Sequence, residues 1–146
     1  MNQDSNNSNG LYIQLYSIHG LIRGVDPELG RDADTGGQIV YVLELAKALS
    51  EHPDVERVEL VTRLIKHKAV SNDYSIPEEK INDKFSIIRI ECGGRKYIRK
   101  ELLWNHLEEF VDKSIKYIKS VGRLPDVIHS HYADAGYVCT ELTRFF

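Results

Sequence analysis

Residues 37–63, GQIVYVLELAKALSEHPDVERVELVTR, decide the fold. Within them Ile39, Val42, Leu43, Leu45, Ala46 and Leu49 recur at helical spacing, which predicts an amphipathic helix from about Gly37 to Glu51, stopped by Pro53. The stretch VERVELVTR that follows, with Val58, Leu60 and Val61, reads as a strand. Upstream, Leu11 to Ser17 (LYIQLYS) is aromatic and aliphatic, bounded by Gly10 and by Ile18-His19-Gly20, and reads as a strand buried on at least one face. Strand, helix and strand within about fifty residues demand a parallel sheet with a crossover helix.

The rest of the chain extends that unit. Phe85 to Glu91 (FSIIRIE) is a third strand, and Asp126 to Ser130 (DVIHS) a fourth. Between them a long helix is predicted from near Arg99, with Leu103, Leu107, Phe110, Val111, Ile115 and Ile118 in helical period and Gly122 and Pro125 ending it. Asp134 to Phe146 is a last helix. Lys66 to Asp83 is polar, contains Pro77 and reads only as a connection. The order of elements is that of an α/β doubly wound, Rossmann-like parallel sheet. Leu21 to Gly37, with Gly24, Pro27, Gly30 and Gly36, is a long loop, and long loops in compact domains are usually functional.

Length and composition bound the function. One hundred and forty-six residues amount to one domain. A hydrophobic share of 42% with 28% charged residues excludes disorder, a collagen-like repeat and a coiled coil. The net charge of −3 gives no basic excess to hold nucleic acid. Cys92 and Cys139 stand 47 positions apart without a C-x-x-C, so neither a disulfide framework nor a cysteine zinc site is indicated. No run approaches the roughly 18 apolar residues of a membrane span, and the N-terminus lacks a basic-then-apolar leader, which makes a cytoplasmic location the expectation. Residues 1–10, MNQDSNNSNG, read as a disordered tail and residues 11–146 as the domain. The close at Phe145-Phe146, inside an apolar pattern after four strands, reads as a truncated domain.

Three clusters can carry chemistry. Thr35-Gly36-Gly37-Gln38 lies where the first loop meets its helix, with Asp34 or Thr35 available as cap. Free N–H groups and the helix dipole there suit a phosphate or sugar, and glycine lets it approach the main chain; the alternative is a plain glycine-containing helix start. There is no G-x-G-x-x-G and no P-loop, so a redox dinucleotide is not supported. Arg95, Lys96, Arg99 and Lys100 follow the third strand, on the edge where ligands of open α/β sheets bind; they form either a phosphate-holding group or a solvated basic surface. His129-Ser130-His131 with Asp134 follows the fourth strand, and His19 follows the first. An H-x-H pair can hold a metal, but further ligands are lacking and no metal is expected. His131 is a sugar contact or a satisfied loop histidine. No Ser-His-Asp or Cys-His arrangement is identifiable.

Several stretches together closely resemble the N-terminal domain of sucrose-phosphate synthases. They are HGLIRG (His19–Gly24), ELGRDADTGGQ (Glu28–Gln38) followed by YVLELAKAL, KYIRKELLW (Lys96–Trp104) and HSHYADAGY (His129–Tyr137). The resemblance runs from about Tyr12 to Phe146 and is weakest at Lys66 to Asp83. Sucrose synthases share the DTGGQ core; starch and glycogen synthases carry Lys-x-Gly-Gly, where this chain has Asp34-Thr35-Gly36-Gly37.

The resemblance implies a GT-B glycosyltransferase, two Rossmann-like domains across a cleft, of which this chain is part of the N-terminal, acceptor-side domain. It implies transfer of glucose from UDP-glucose to fructose 6-phosphate with retained configuration, with UDP-glucose as co-substrate and no cofactor. Gly36 and Gly37 would approach the donor diphosphate, Gln38 the acceptor sugar, Lys96 and Lys100 the acceptor phosphate, and His131 and Tyr132 the fructose side. The family's Gly-His-Ser-Leu-Gly loop and its C-terminal nucleotide-holding domain are not in this sequence, so the polypeptide alone is expected to be inactive. Two alternatives stay open: a sucrose synthase N-terminal domain, and a non-catalytic sugar-phosphate binding module.

Overall fold

In the first strand, β1 (Leu11–Tyr16), every residue after Leu11 is buried. That is the signature of a strand covered on both faces, as parallel sheets require. Ile13 and Leu15 point to one side and Tyr12, Gln14 and Tyr16 to the other. The computed structural model describes residues 10–146, so the tail expected at residues 1–10 lies, but for Gly10, outside the described residues.

The helix read from periodicity is α1 (Gly37–Glu51), with the predicted bounds. It ends because His52, ahead of Pro53, is already extended. Next comes β2 (Val55–Arg63). The sheet also holds β3 (Glu78–Lys80), β4 (Phe85–Ile90) and β5 (Val127–Ser130), in the order β3-β4-β2-β1-β5. Only the β3/β4 pair is antiparallel. Ile39, Val42 and Ala46 of α1 close one face over Ile13, Leu15, Val58, Leu60 and Ile87. The other face, with Tyr16, Val61 and Ile88, is covered by α3 (Leu107–Val121) and α4 (Tyr132–Phe145).

Three expectations change. The stretch read as a mere connection holds a 3-10 turn at Asn72–Ser75 and the fifth strand, β3. Its sequence Glu-Glu-Lys has no apolar alternation; what holds it is its antiparallel pairing with β4 together with Arg89, buried in β4, which bonds Glu79 Oε1 at 2.7 Å and the carbonyls of Ile76 and Ile22. The long helix expected from Arg99 is interrupted: α2 (Lys100–Leu103) passes through a 3-10 turn at Trp104–His106 before α3 begins. Leu103 and Leu107 are both buried in the same cluster, so the apolar period runs across the break and conceals it. The last helix starts at Tyr132 rather than Asp134.

Glu59 is buried beneath the sheet and satisfied from several elements. Its carboxylate accepts from the hydroxyls of Tyr12 and Tyr117, from Gln14 Nε2 at 3.0 Å and from Arg57 Nη2 at 2.8 Å. Burial and the Glu59 carboxylate push both tyrosine hydroxyls well above their ordinary range, so both remain donors. On the far side of β1, β5 has one sheet neighbour, and Leu124, Val127, Phe145 and Phe146 beside it are exposed. Among the described residues no helix is long and apolar enough to cross a membrane.

Candidate functional site

The carboxyl ends of β1, β2, β4 and β5 gather four loops on one edge of the sheet. Gly20, just after β1, has φ +86°, and a Cβ there would lie 2.5 Å from the Asp34 carbonyl oxygen. Only glycine permits that approach, which folds residues 21–36 back over the end of β1. Leu21 N–H donates to Thr35 Oγ1 at 3.0 Å, and the Thr35 hydroxyl donates to the Asp32 carboxylate. Asp34 N–H donates to Asp32 Oδ1 at 2.9 Å.

Asp34, buried, joins this loop to the basic one. Its Oδ2 accepts from Lys100 N–H at 2.9 Å. The Tyr97 hydroxyl lies 2.9 Å from Asp34 Oδ2 and 2.9 Å from Asp32 Oδ1, and can give its single proton to either. Burial and the two carboxylates push the Tyr97 phenol far up, so it stays protonated. With Asp34 and Thr35 so engaged, neither caps α1: the cap is Gly36, without a side-chain bond. Neither Gly36 nor Gly37 uses a positive φ, and a Cβ on Gly37 would meet nothing within 4 Å. Glycine at this helix start therefore keeps space open rather than relieving strain. Gln38 turns back, its Nε2 donating to the Asp34 carbonyl.

His19 and Asp134, both buried, are joined at 2.7 Å between Nδ1 and Oδ2. The Tyr132 ring meets His19 edge-on with centroids 4.8 Å apart, held by a positive φ of 70° that is rare for a tyrosine. A cavity of about 230 Å³ opens here, lined by His19, Lys100, Glu101, Trp104, Tyr132 and Asp134 among others. A second, of about 300 Å³, is lined by Lys66, His67, Lys68, Asn72 and Lys96.

Buried Arg63 supports the loop between β4 and α2, its Nε donating to the Cys92 carbonyl at 2.8 Å and its Nη2 to the Gly94 carbonyl at 3.1 Å. Burial pushes the Cys92 thiol up to about 11 and the Cys139 thiol up to about 12. Both are free, and both stay protonated and unreactive at neutral pH.

A family model described as the sucrose synthase first GT-B domain matches residues 9–145. This chain belongs to that GT-B family. The glycosyltransferase domain is 47% identical over 161 residues to sucrose-phosphate synthase 4 of Arabidopsis thaliana, covering 96% of the chain and 15% of that relative. It is 46% identical over 165 residues to sucrose-phosphate synthase of Zea mays, with the same coverage of 96% and 15%. A solved sucrose-phosphate synthase from Thermosynechococcus elongatus superposes with a TM-score of 0.76 at 26% identity, covering 93% of this chain and 31% of that one. The chain thus spans about 15% of the length of these curated relatives.

In this GT-B domain the residues expected to act together are divided. Lys100 and Tyr132 line the His19 cavity, whereas Lys96 lines the other. His131 lines neither: its ring sits edge-on to Tyr41, centroids 5.7 Å apart, and to His129 at 4.8 Å. Burial, then the neighbouring His129, lowers its pKa. Among the described residues no group of three or more His, Cys, Asp or Glu is placed to hold a metal. Tyr97, Asp32 and Arg63 were not singled out from sequence. The paired aspartates of ELGRDADTGGQ are a signal for Asp32; nothing local marks Tyr97 or a strand-end arginine.

Proposed function

We propose that the chain is the acceptor side of a cytoplasmic, retaining glucosyltransferase that moves glucose from UDP-glucose to fructose 6-phosphate, giving sucrose 6-phosphate and UDP. The observation that carries this reading is the lysine-lined cavity at the same sheet edge as the open glycine start of α1. The names of the relatives support it. In this reading Gly36 and Gly37 leave room for the donor diphosphate at the positive end of α1. Lys96 pairs with the acceptor phosphate, and Lys100 and Tyr132 face the sugar beside His19. The partner across the cleft is a nucleotide-holding C-terminal domain, and UDP-glucose is a co-substrate rather than a resident cofactor.

Catalysis is then orientation of acceptor against donor and stabilisation of the departing diphosphate, which needs no protein nucleophile. The description of the matching family favours one second reading, a sucrose synthase domain that takes fructose. Titration of the chain with fructose 6-phosphate and with fructose separates the two. Preference for the phosphorylated sugar supports the first, and equal or stronger binding of fructose overturns it.

A further inference from the structure

We infer that Lys66 and Lys68, on the loop after β2, read the acceptor phosphate jointly with Lys96; the inference rests on the acceptor reading above. All three line one cavity of about 300 Å³ with His67 and Asn72, and no carboxylate contributes to it. Three arginines of the flanking loops are paired instead: Arg31 with Glu28 at 2.9 Å, Arg95 with Glu91 at 3.1 Å and Arg23 with Asp73 at 3.3 Å. Among the described residues no carboxylate lies within ion-pair distance of Lys66, Lys68 or Lys96. Three unneutralised ammonium groups around so small a space repel one another, and a dianion between them converts that repulsion to attraction.

The loop is held in place before any ligand arrives. Lys66 N–H donates to the Arg95 carbonyl at 2.6 Å, which ties this loop to the one carrying Lys96. Ile65 N–H donates to the Tyr74 carbonyl at 2.9 Å and Val70 N–H to the His67 carbonyl at 3.2 Å. The Arg31 guanidinium donates to the Ala69 carbonyl, linking the same loop to the glycine-rich one. Lysines on a fixed backbone act as point charges for a phosphate, at little ordering cost in the main chain.

The test is calorimetric titration of the chain with fructose 6-phosphate, fructose and inorganic phosphate. It compares the parent, a Lys66→Gln/Lys68→Gln double variant, and a Lys47→Gln/Lys116→Gln variant that removes the same charge from exposed helix positions. All four lysines are exposed, so each variant folds, which circular dichroism verifies. The expected result is a loss of about tenfold or more in fructose 6-phosphate affinity for the first variant, the scale of a charged hydrogen bond, with the second near the parent. Equal weakening in both variants overturns the inference and leaves the acceptor reading standing. Phosphate binding that needs Lys66 and Lys68, without preference for fructose 6-phosphate over phosphate, keeps the anion site and overturns the acceptor reading. A parent chain that binds neither anion overturns the inference.

Discussion

The carboxylate of Asp34 accepts the backbone N–H of Lys100 across 66 residues of sequence, at 2.9 Å. The glycine-rich loop and the basic loop therefore keep a fixed separation through one buried acid. Asp34→Ala leaves the Lys100 amide without this acceptor and takes one of two acceptors from Tyr97. The expected cost is about 2–3 kcal/mol, or roughly 5–10 °C in Tm for a domain of this size. A thermal melt of the 146-residue chain measures it; an unchanged Tm removes the link.

Gly20 and Gly37 are expected to respond oppositely. Gly20→Ala sets a Cβ 2.5 Å from the Asp34 carbonyl at φ +86° and should destabilise the domain by about 2 kcal/mol or more. Gly37→Val has open space and should leave the melt within about 1 kcal/mol, allowing for its lower helix preference at an end position. In a form joined to a nucleotide-holding domain it should cut turnover sharply. Full turnover by that variant removes the helix start from the active site.

Lys96→Ala should weaken fructose 6-phosphate by about 1.5–3 kcal/mol and leave fructose unaffected. Isothermal titration with both sugars decides it, since equal loss for both means that the lysine does not read the phosphate.

His131 predicts a pH dependence. Its pKa in the folded domain lies below the ordinary value of 6.5, through burial and then His129. The unfolded chain thus binds the proton more readily, so stability falls as pH drops through about 6.5 and levels off below the folded pKa. Urea unfolding at pH 7 and pH 5 should show the loss, and His131→Asn should reduce it. An identical slope in parent and variant assigns the titration elsewhere.

The β5 edge should make the isolated chain associate, because Val127 and its exposed neighbours Leu124, Phe145 and Phe146 adjoin unpaired strand groups. Sedimentation should show mass rising with concentration, and Val127→Lys should suppress it. Alone, the chain is also expected to make no sucrose 6-phosphate from UDP-glucose and fructose 6-phosphate. Steady product formation by the pure chain contradicts a two-domain cleft.

What was legible in the sequence follows the range of the interactions. α1 was bounded correctly because its period and Pro53 are local. β3 was not, since three polar residues without apolar alternation are held by pairing with β4 and by contacts of Glu79 with Arg89 and the Gly24 N–H, all outside the segment itself. The glycine pair was placed correctly at the start of α1, but its expected side-chain cap is absent because Asp34 and Thr35 are drawn into contacts elsewhere. Lys96 and Lys100 stand only four residues apart in the pattern KYIRK, yet they line separate cavities, and the Tyr97 between them is tied to Asp34, 63 residues away. Periodicity carries no information about that pairing.

Glu59 acts as a proofreader of strand alignment. It sits opposite Gln14 in the parallel pairing of β1 and β2, on the face where Tyr12, Tyr117 and Arg57 supply donors. A slip of β2 that reverses its facing would carry the carboxylate into the aliphatic layer of Ile39, Val42 and Ala46, which offers no donor side chain. A carboxylate without donors there costs free energy, which disfavours the misaligned sheet relative to the observed one. The loop ends that form the site thus inherit their relative positions from an acid on the strand beneath them.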